Sequence, residues 1–385
     1  MAVQSRVPQG TSPSHGSEET ERRVASTPMR LAPTVERLIG ANDNPMLYDR
    51  AERRYVRITP MGARILDAMD RLDDHTGPAP TGEELVRRMS GGDPERARRA
   101  HGALTAFLGD LWEKGLLEGA PAPARSGGIS FAPRWEVLKD PGRFLSPLVR
   151  LIGLLPRPFP LVAAFAVWAA AMAVAVVSAP PALAALDLSR VSWLWLLLTL
   201  VLVAVHEAAH GVVSLHYGVR PRSAGFALML YVFPIAYMDR TDSYRLRSRG
   251  ARAAICLAGP WVDTIAAAVS AVVTLAVFPA GSVAQATAAM FTLVMVLSLV
   301  YNLNPLIPSD GYQAVEAATG RINLRSRAFR WFGAKLLGRT PPGETTGLAP
   351  RAAAGYIALV VLTIAYPVLF VWFLLHGTGV LRMVL

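Results

Sequence analysis

The sequence predicts a mainly α, polytopic helical membrane protein with about five or six transmembrane helices, preceded by a small α+β, winged-helix-like domain. Three observations predict it. Of 385 residues 52% are hydrophobic and the mean hydropathy is +0.33, more apolar than a soluble chain of this length needs. Five stretches downstream of residue 150 are nearly free of charge and long enough to cross a bilayer. Residues 46 to 118 instead alternate short apolar runs with turn and cap signals.

Residues 1 to 44 are rich in Ser, Pro, Gly, Glu and Arg without a sustained apolar period, which predicts a disordered arm. A folded domain is predicted at 45 to 120. Met46-Leu47-Tyr48 and Arg54-Tyr55-Val56-Arg57-Ile58-Thr59 read as a hairpin around a polar turn. Thr59-Pro60 supplies an N-cap and a first-turn proline for a helix with Ile65, Leu66 and Met69 on one face. Thr81 and Glu84 form a capping box, and Asp93-Pro94 starts a third helix striped by Leu104, Leu108, Leu111 and Trp112 and closed by Gly115. A linker is expected at 121 to 150, and the membrane domain at 151 to 385.

Spans are predicted at about 158 to 179, 191 to 217, 252 to 278, 284 to 308 and 353 to 376, each near the ~20 residues a bilayer core requires. Arg143, Arg150 and Arg157 precede the first, and seven arginines from Arg220 to Arg252 separate the second and third. Arg321, Arg325, Arg327, Arg330, Lys335, Arg339 and Arg351 separate the last two. The positive-inside rule therefore puts the N-terminal domain and these segments in the cytoplasm, with the chain in the cytoplasmic membrane. The net charge of +11 is thus accounted for by loops flanking lipid, and no nucleic-acid partner is expected. A single cysteine, Cys256, excludes an intramolecular disulfide and a multi-cysteine metal site. Gly225 to Met238 is apolar but too short to cross and holds Pro234, so it is expected to be re-entrant or interfacial. His216 and His376 read as interfacial residues, and Trp193, Trp195 and Trp372 as interface anchors.

Within the second span, His206-Glu207-Ala208-Ala209-His210 puts two imidazoles on one helix face with a carboxylate beside them. A chance five-residue match is the bland alternative. Its place in a span argues against chance, because an ionisable residue at membrane depth costs at least ~2.5 kcal/mol unless a ligand or water stabilises it. The pair is half of a zinc site, which needs a third protein ligand. The fourth span ends in Asn302-Leu303-Asn304-Pro305-Leu306-Ile307-Pro308-Ser309-Asp310-Gly311, whose prolines break the helix and bring Asp310 to the depth of the histidines.

At these residues the chain resembles the site-2 protease family of intramembrane zinc metalloproteases, which pairs a helical HExxH with a distant NxxPxxxxDG. The resemblance covers about 150 to 376. It implies zinc held by His206, His210 and Asp310, Glu207 as general base, Asn302 and with it Asn304 as polar groups near the substrate, and a β-edge at 225 to 238 that pairs with the unwound peptide. Ala258-Gly259-Pro260 also fits the family. Two positions depart from it: Asp263 stands where Asn is usual, and Ser309 where Leu is common. Asp263 is expected to be a protonated structural carboxyl rather than a competing ligand, because its mid-helix position disfavours ionisation.

The 45 to 120 domain, with its closing Leu111-Trp112-Glu113-Lys114-Gly115-Leu116-Leu117, resembles PqqD-like peptide-recognition domains. This implies a leader peptide added as a strand beside the hairpin near Tyr55 and Arg57, and as substrate a ribosomally made, modified peptide whose leader is removed. Two alternatives stand beside this reading. One is a non-catalytic peptide-binding or export module. The other is a membrane-tethered regulator whose winged helix binds DNA through Arg87, Arg88, Arg96, Arg98 and Arg99.

Overall fold

A computed structural model describes residues 28–73, 79–121, 134–154, 159–229, 233–321, 323–341, 345 and 347–377. The expectations for residues 1–27, for Arg157 and for the side chains of Arg96, Arg99, Trp372 and His376 lie outside the described residues. Contacts divide the chain into two units near residue 130.

The first unit begins earlier than the sequence reading placed it. Strand β1 (Val35–Ile39) pairs antiparallel with β2 (Pro45–Asp49), and β2 with β3 (Arg54–Arg57), in the order β1-β2-β3. The assignment of residues up to 44 to a disordered arm is therefore corrected for 28–44. Charged Glu36 and Arg37 interrupt the apolar pattern of β1, but they do not prevent pairing. Arg37 reaches Asp67 and Asp70, and Arg30 makes a two-pronged pair with Asp73 at 2.6 Å in each arm.

Helices α1 (Pro60–Leu72), α2 (Gly82–Ser90) and α3 (Pro94–Glu113) start where the cap signals predict. The Thr59 hydroxyl accepts from Gly62 N–H, and Thr81 and Glu84 form the reciprocal box. Gly115 adopts φ +65° and lets Leu116 N–H return to Leu111 O at 2.9 Å, closing α3. Leu47, Val56, Ile65, Leu66, Leu85, Leu104, Leu108 and Leu111 meet in one core.

In the second unit, α5 (Phe159–Ala184), α6 (Leu194–His216), α7 (Arg249–Ala276), α8 (Val283–Leu303) and α11 (Pro350–Gly377) are, among the described residues, the five helices long and apolar enough to cross a membrane. They lie within a few residues of the predicted spans, except that α5 runs five residues longer, to Ala184, and α8 stops at Leu303, five residues early. Asn304 is its C-cap and Pro305 follows, so the helix ends where the first proline removes a donor. Helix α7 is central and packs against α5, α6 and α8. Its buried face is built of Ala251, Ala258, Gly259, Ala267, Ala268 and Ala271, small residues that let apolar helices approach closely. At one end Arg190 donates to Gly281 O and Ser192 N–H to Thr287 Oγ1, joining the two connections that carry few basic residues.

The expected linker at 121 to 150 is also corrected. Strand β4 (Arg134–Leu138) pairs antiparallel with β5 (Ala224–Met229), and β5 with β6 (Phe233–Met238), so that part of the linker completes a sheet. Gly225 is required there, since a Cβ would come 2.0 Å from Trp135 O. Helix α4 (Pro141–Gly153) then packs against α6. Of the apolar segment from 225 to 238, the described residues 225–229 and 233–238 lie in β5 and β6 and pair in this sheet. Helices α9 (Asp310–Thr319) and α10 (Leu324–Leu336) complete the unit.

Candidate metal centre

Helix α6 places His206 and His210 one turn apart, both buried against α7, with Glu207 half-buried beside them. Asp310 arrives from a separate segment. Its loop is shaped by Asn304, whose carboxamide oxygen accepts from Leu306 N–H at 2.8 Å and whose carbonyl accepts from Ser309 Oγ at 2.6 Å. Ser309 then caps α9 by accepting from Tyr312 N–H, leaving Asp310 as the first helical residue. Gly311 allows the loop to fold back, because a Cβ there would lie 2.5 Å from Leu303 O.

The resulting geometry is a small triangle. His206 Nε2 and His210 Nε2 are 3.3 Å apart, and Asp310 Oδ2 lies 3.2 Å from the first and 3.1 Å from the second. Ligands about 2.0–2.1 Å from a tetrahedral zinc stand roughly 3.3–3.4 Å from one another, so these atoms already have the spacing of three corners of such a shell. The remaining corner is the position a catalytic site reserves for water or substrate.

The outer nitrogens are held by the fold. His210 Nδ1 lies 2.6 Å from the carbonyl oxygen of Ile255, an acceptor, and 2.5 Å from Arg240 Nη1, a donor, while Nε2 faces inward. His206 Nδ1 is 2.9 Å from Asp263 Oδ1. Gly259 makes room for this imidazole, since a Cβ there would lie 2.2 Å from His206 Nε2.

Asp263 is not a member of the triangle. Its Oδ1 serves His206, and its Oδ2 accepts from Ser298 Oγ at 2.9 Å and Asn302 Nδ2 at 3.0 Å. The reading of Asp263 as a structural carboxyl agrees with this geometry. Asn302 was expected near the substrate, and its amide is directed to Asp263 and Ser298. Asn304 was expected there too, yet it shapes the loop. In the first unit Tyr55 is only 6% exposed and stacks on its cross-strand partner Tyr48 at 4.7 Å, so its ring is engaged in the fold rather than presented to a peptide. Arg57 is half-buried on β3, which is an edge strand among the described residues.

Sequence reasoning missed Arg240. It follows β6 by two residues, and Nη2 donates to Asp310 Oδ1 at 2.6 Å and to Gln313 Oε1 at 3.3 Å, while Nη1 reaches Ile255 O at 3.4 Å beside His210 Nδ1. Burial alone would raise the Asp310 carboxyl, but His210, His206 and Arg240 together hold it below the usual carboxylate range. Nothing in the sequence separates Arg240 from the six other arginines of its segment; only its distance from the apolar hairpin could have hinted at it. Glu207 contrasts with all of these. Its carboxylate and the two imidazoles have ligand atoms within 4.8 Å of one another, yet it makes no hydrogen bond among the described residues.

Residues 194–287 match the family model described as Peptidase family M50. The match covers α6, the β5-β6 hairpin, α7 and the start of α8. It supports a metalloprotease of the site-2 type and, with the five apolar helices, a multi-pass membrane protein. No curated protein and no solved structure matches the chain.

Proposed function

We propose that the chain is an intramembrane zinc endopeptidase that cleaves a peptide substrate, with His206, His210 and Asp310 holding the metal. The observation that carries this reading is the triangle of Nε2, Nε2 and Oδ2 atoms at zinc-ligand spacing, with an unengaged carboxylate next to it. When bound, zinc would supply Lewis acidity to the scissile carbonyl and to the attacking water. Glu207 takes a proton from that water as the C–O bond forms, and returns it to the amide nitrogen as the C–N bond breaks. Asp263 and Ile255 O hold the imidazoles in orientation, and Arg240 holds the outer oxygen of Asp310. Strand β6 is at the edge of its sheet among the described residues, and main-chain pairing along it would keep an unwound peptide extended.

The first unit supports a narrower reading of the substrate. Its edge strand β3 follows the hairpin turn and leads into a three-helix core, an arrangement suited to adding a leader peptide as a further strand. The proposed reaction is therefore leader removal from, or maturation of, a ribosomally made, modified peptide. It would take place at the cytoplasmic membrane with the N-terminal unit in the cytoplasm.

The test is reconstituted protein incubated with candidate precursor peptides, with fragments read by mass spectrometry. Glu207→Gln should keep about one zinc per chain and lose roughly two or more orders of magnitude in rate. Removing residues 1–130 should weaken processing of a leader-bearing peptide while leaving zinc content intact. Parental rates from the Glu207→Gln protein would overturn the hydrolytic mechanism and leave a peptide-binding or export module in its place.

A further inference from the structure

Helix α4 has two faces with different partners. Its inner face is fixed to the helix that carries the histidines: a Cβ on Gly211 would lie 2.5 Å from Leu145 Cδ1, so Leu145 packs directly over the residue after His210. The start of α4 is anchored as well. Asp140 receives Arg220 Nε at 3.1 Å and Nη2 at 2.6 Å, and this guanidinium holds the Asp140 carboxyl below its usual range.

The outer face has no protein against it among the described residues. Phe144, Leu148, Leu151 and Leu154 are 68%, 47%, 62% and 78% exposed, at spacings of four, three and three residues, and so form one continuous stripe. Arg143 and Arg150, also exposed, are seven residues apart and therefore border that stripe on one side at successive double turns. Neither makes an ion pair among the described residues. A stripe of four large apolar side chains would be a liability in water.

We propose that α4 lies in the plane of the bilayer interface at the N-terminal end of α5, with its outer stripe among the acyl chains and Arg143 and Arg150 on the phosphates of anionic lipids. Two observations select lipid over a protein partner. Only residues 154–158 separate α4 from the spanning helix α5, and five residues reach at most about 18 Å, so the stripe cannot leave the membrane surface. The border of two exposed arginines beside an apolar face matches a surface whose phosphates sit directly above hydrocarbon, where long cationic side chains extend upward from the apolar plane. Lipid under α4 would thus brace the turn of α6 that bears His210. The inference requires the membrane-spanning helices and not the peptidase chemistry, so its failure would leave the function reading untouched.

The test uses full-length protein in bilayers of phosphatidylcholine with and without phosphatidylglycerol. Cys256 is the only cysteine and is buried, so Leu148→Cys and Glu52→Cys each add the one readily labelled thiol. A nitroxide at 148 should collide with oxygen in preference to a water-soluble nickel complex, and one at 52 should do the reverse. In the parent, spin-labelled phosphatidylglycerol should be retained over phosphatidylcholine, and that preference should fall roughly fivefold for each arginine lost in Arg143→Gln/Arg150→Gln. Three results would overturn the proposal: nickel access at 148 equal to that at 52, shielding from both reagents with the dipolar broadening of a second copy or the immobilisation of a protein contact, or unchanged lipid preference in the double variant.

Discussion

Asp263→Ala separates a ligand from a residue that orients one. Asp263 is 2% exposed, and its Oδ1 holds His206 Nδ1 at 2.9 Å. A buried hydrogen bond to a charged group contributes about 1.5–3 kcal/mol. If all of it orients the imidazole toward the metal, zinc affinity falls by roughly 10- to 150-fold, at 1.4 kcal/mol per decade. The alanine variant also leaves Ser298 Oγ without its Asp263 acceptor and Asn302 Nδ2 with Ser298 Oγ alone, so the melting temperature should fall with zinc affinity. Asp263→Asn keeps an oxygen for His206 but turns an NH2 toward the Asn302 amide, a donor against a donor. Its loss of affinity should stay below about tenfold. Zinc competition against a chromophoric chelator in detergent measures all three proteins, with Asp310→Ala as the variant that loses a ligand. If Asp263→Ala titrates within twofold of the parent, the orienting role is wrong; if it loses metal as completely as Asp310→Ala, Asp263 is itself a ligand.

Gly259→Ala should cost at least tenfold in zinc affinity, because its Cβ would sit 2.2 Å from His206 Nε2 in a packed helix pair, whereas Gly355→Ala, with nothing within 4 Å, should leave zinc binding unchanged. Equal chelator titrations for the two variants would count against the close approach of α7 to His206. Arg240→Ala leaves the buried Asp310 carboxylate without its cation, which typically costs about 3–5 kcal/mol in the metal-free protein. Zinc replaces that cation, so the zinc-induced rise in melting temperature should be larger in Arg240→Ala than in the parent. An identical rise in both proteins would mean that Arg240 and the metal do not share Asp310.

The parts of the fold legible in the sequence are those whose causes are local. Thr59-Pro60, Thr81 with Glu84, and Gly115 mark helix ends through groups within four residues of each other, and the helices begin and stop there. The spans are legible for the same reason, since bilayer thickness converts directly into a run of apolar residues. Strands β1 and β4 were not legible. Val35–Ile39 and Arg134–Leu138 carry mixed charge and acquire their structure only by pairing with β2 and β5, the second of these partners some ninety residues downstream.

The centre divides along the same line. His206, Glu207 and His210 are legible because helix periodicity alone puts them together, and Asp310 because prolines mark its loop. Asp263 stands out by its position along α7, but the partners that hold it come from α6 and α8, and no spacing along α7 reveals them. Arg240 was invisible as one arginine among seven. Once these long-range partners are in place, His206, His210, Asp263, Asp310 and Arg240 are joined by hydrogen bonds, whereas Glu207 makes none among the described residues and is coupled to Arg240 through charge alone. An ionisable side chain at membrane depth costs about 2.5–3.5 kcal/mol when nothing compensates it. A half-buried carboxylate left without a hydrogen bond beside three candidate ligand atoms is what the proposed general base for a zinc-bound water would require.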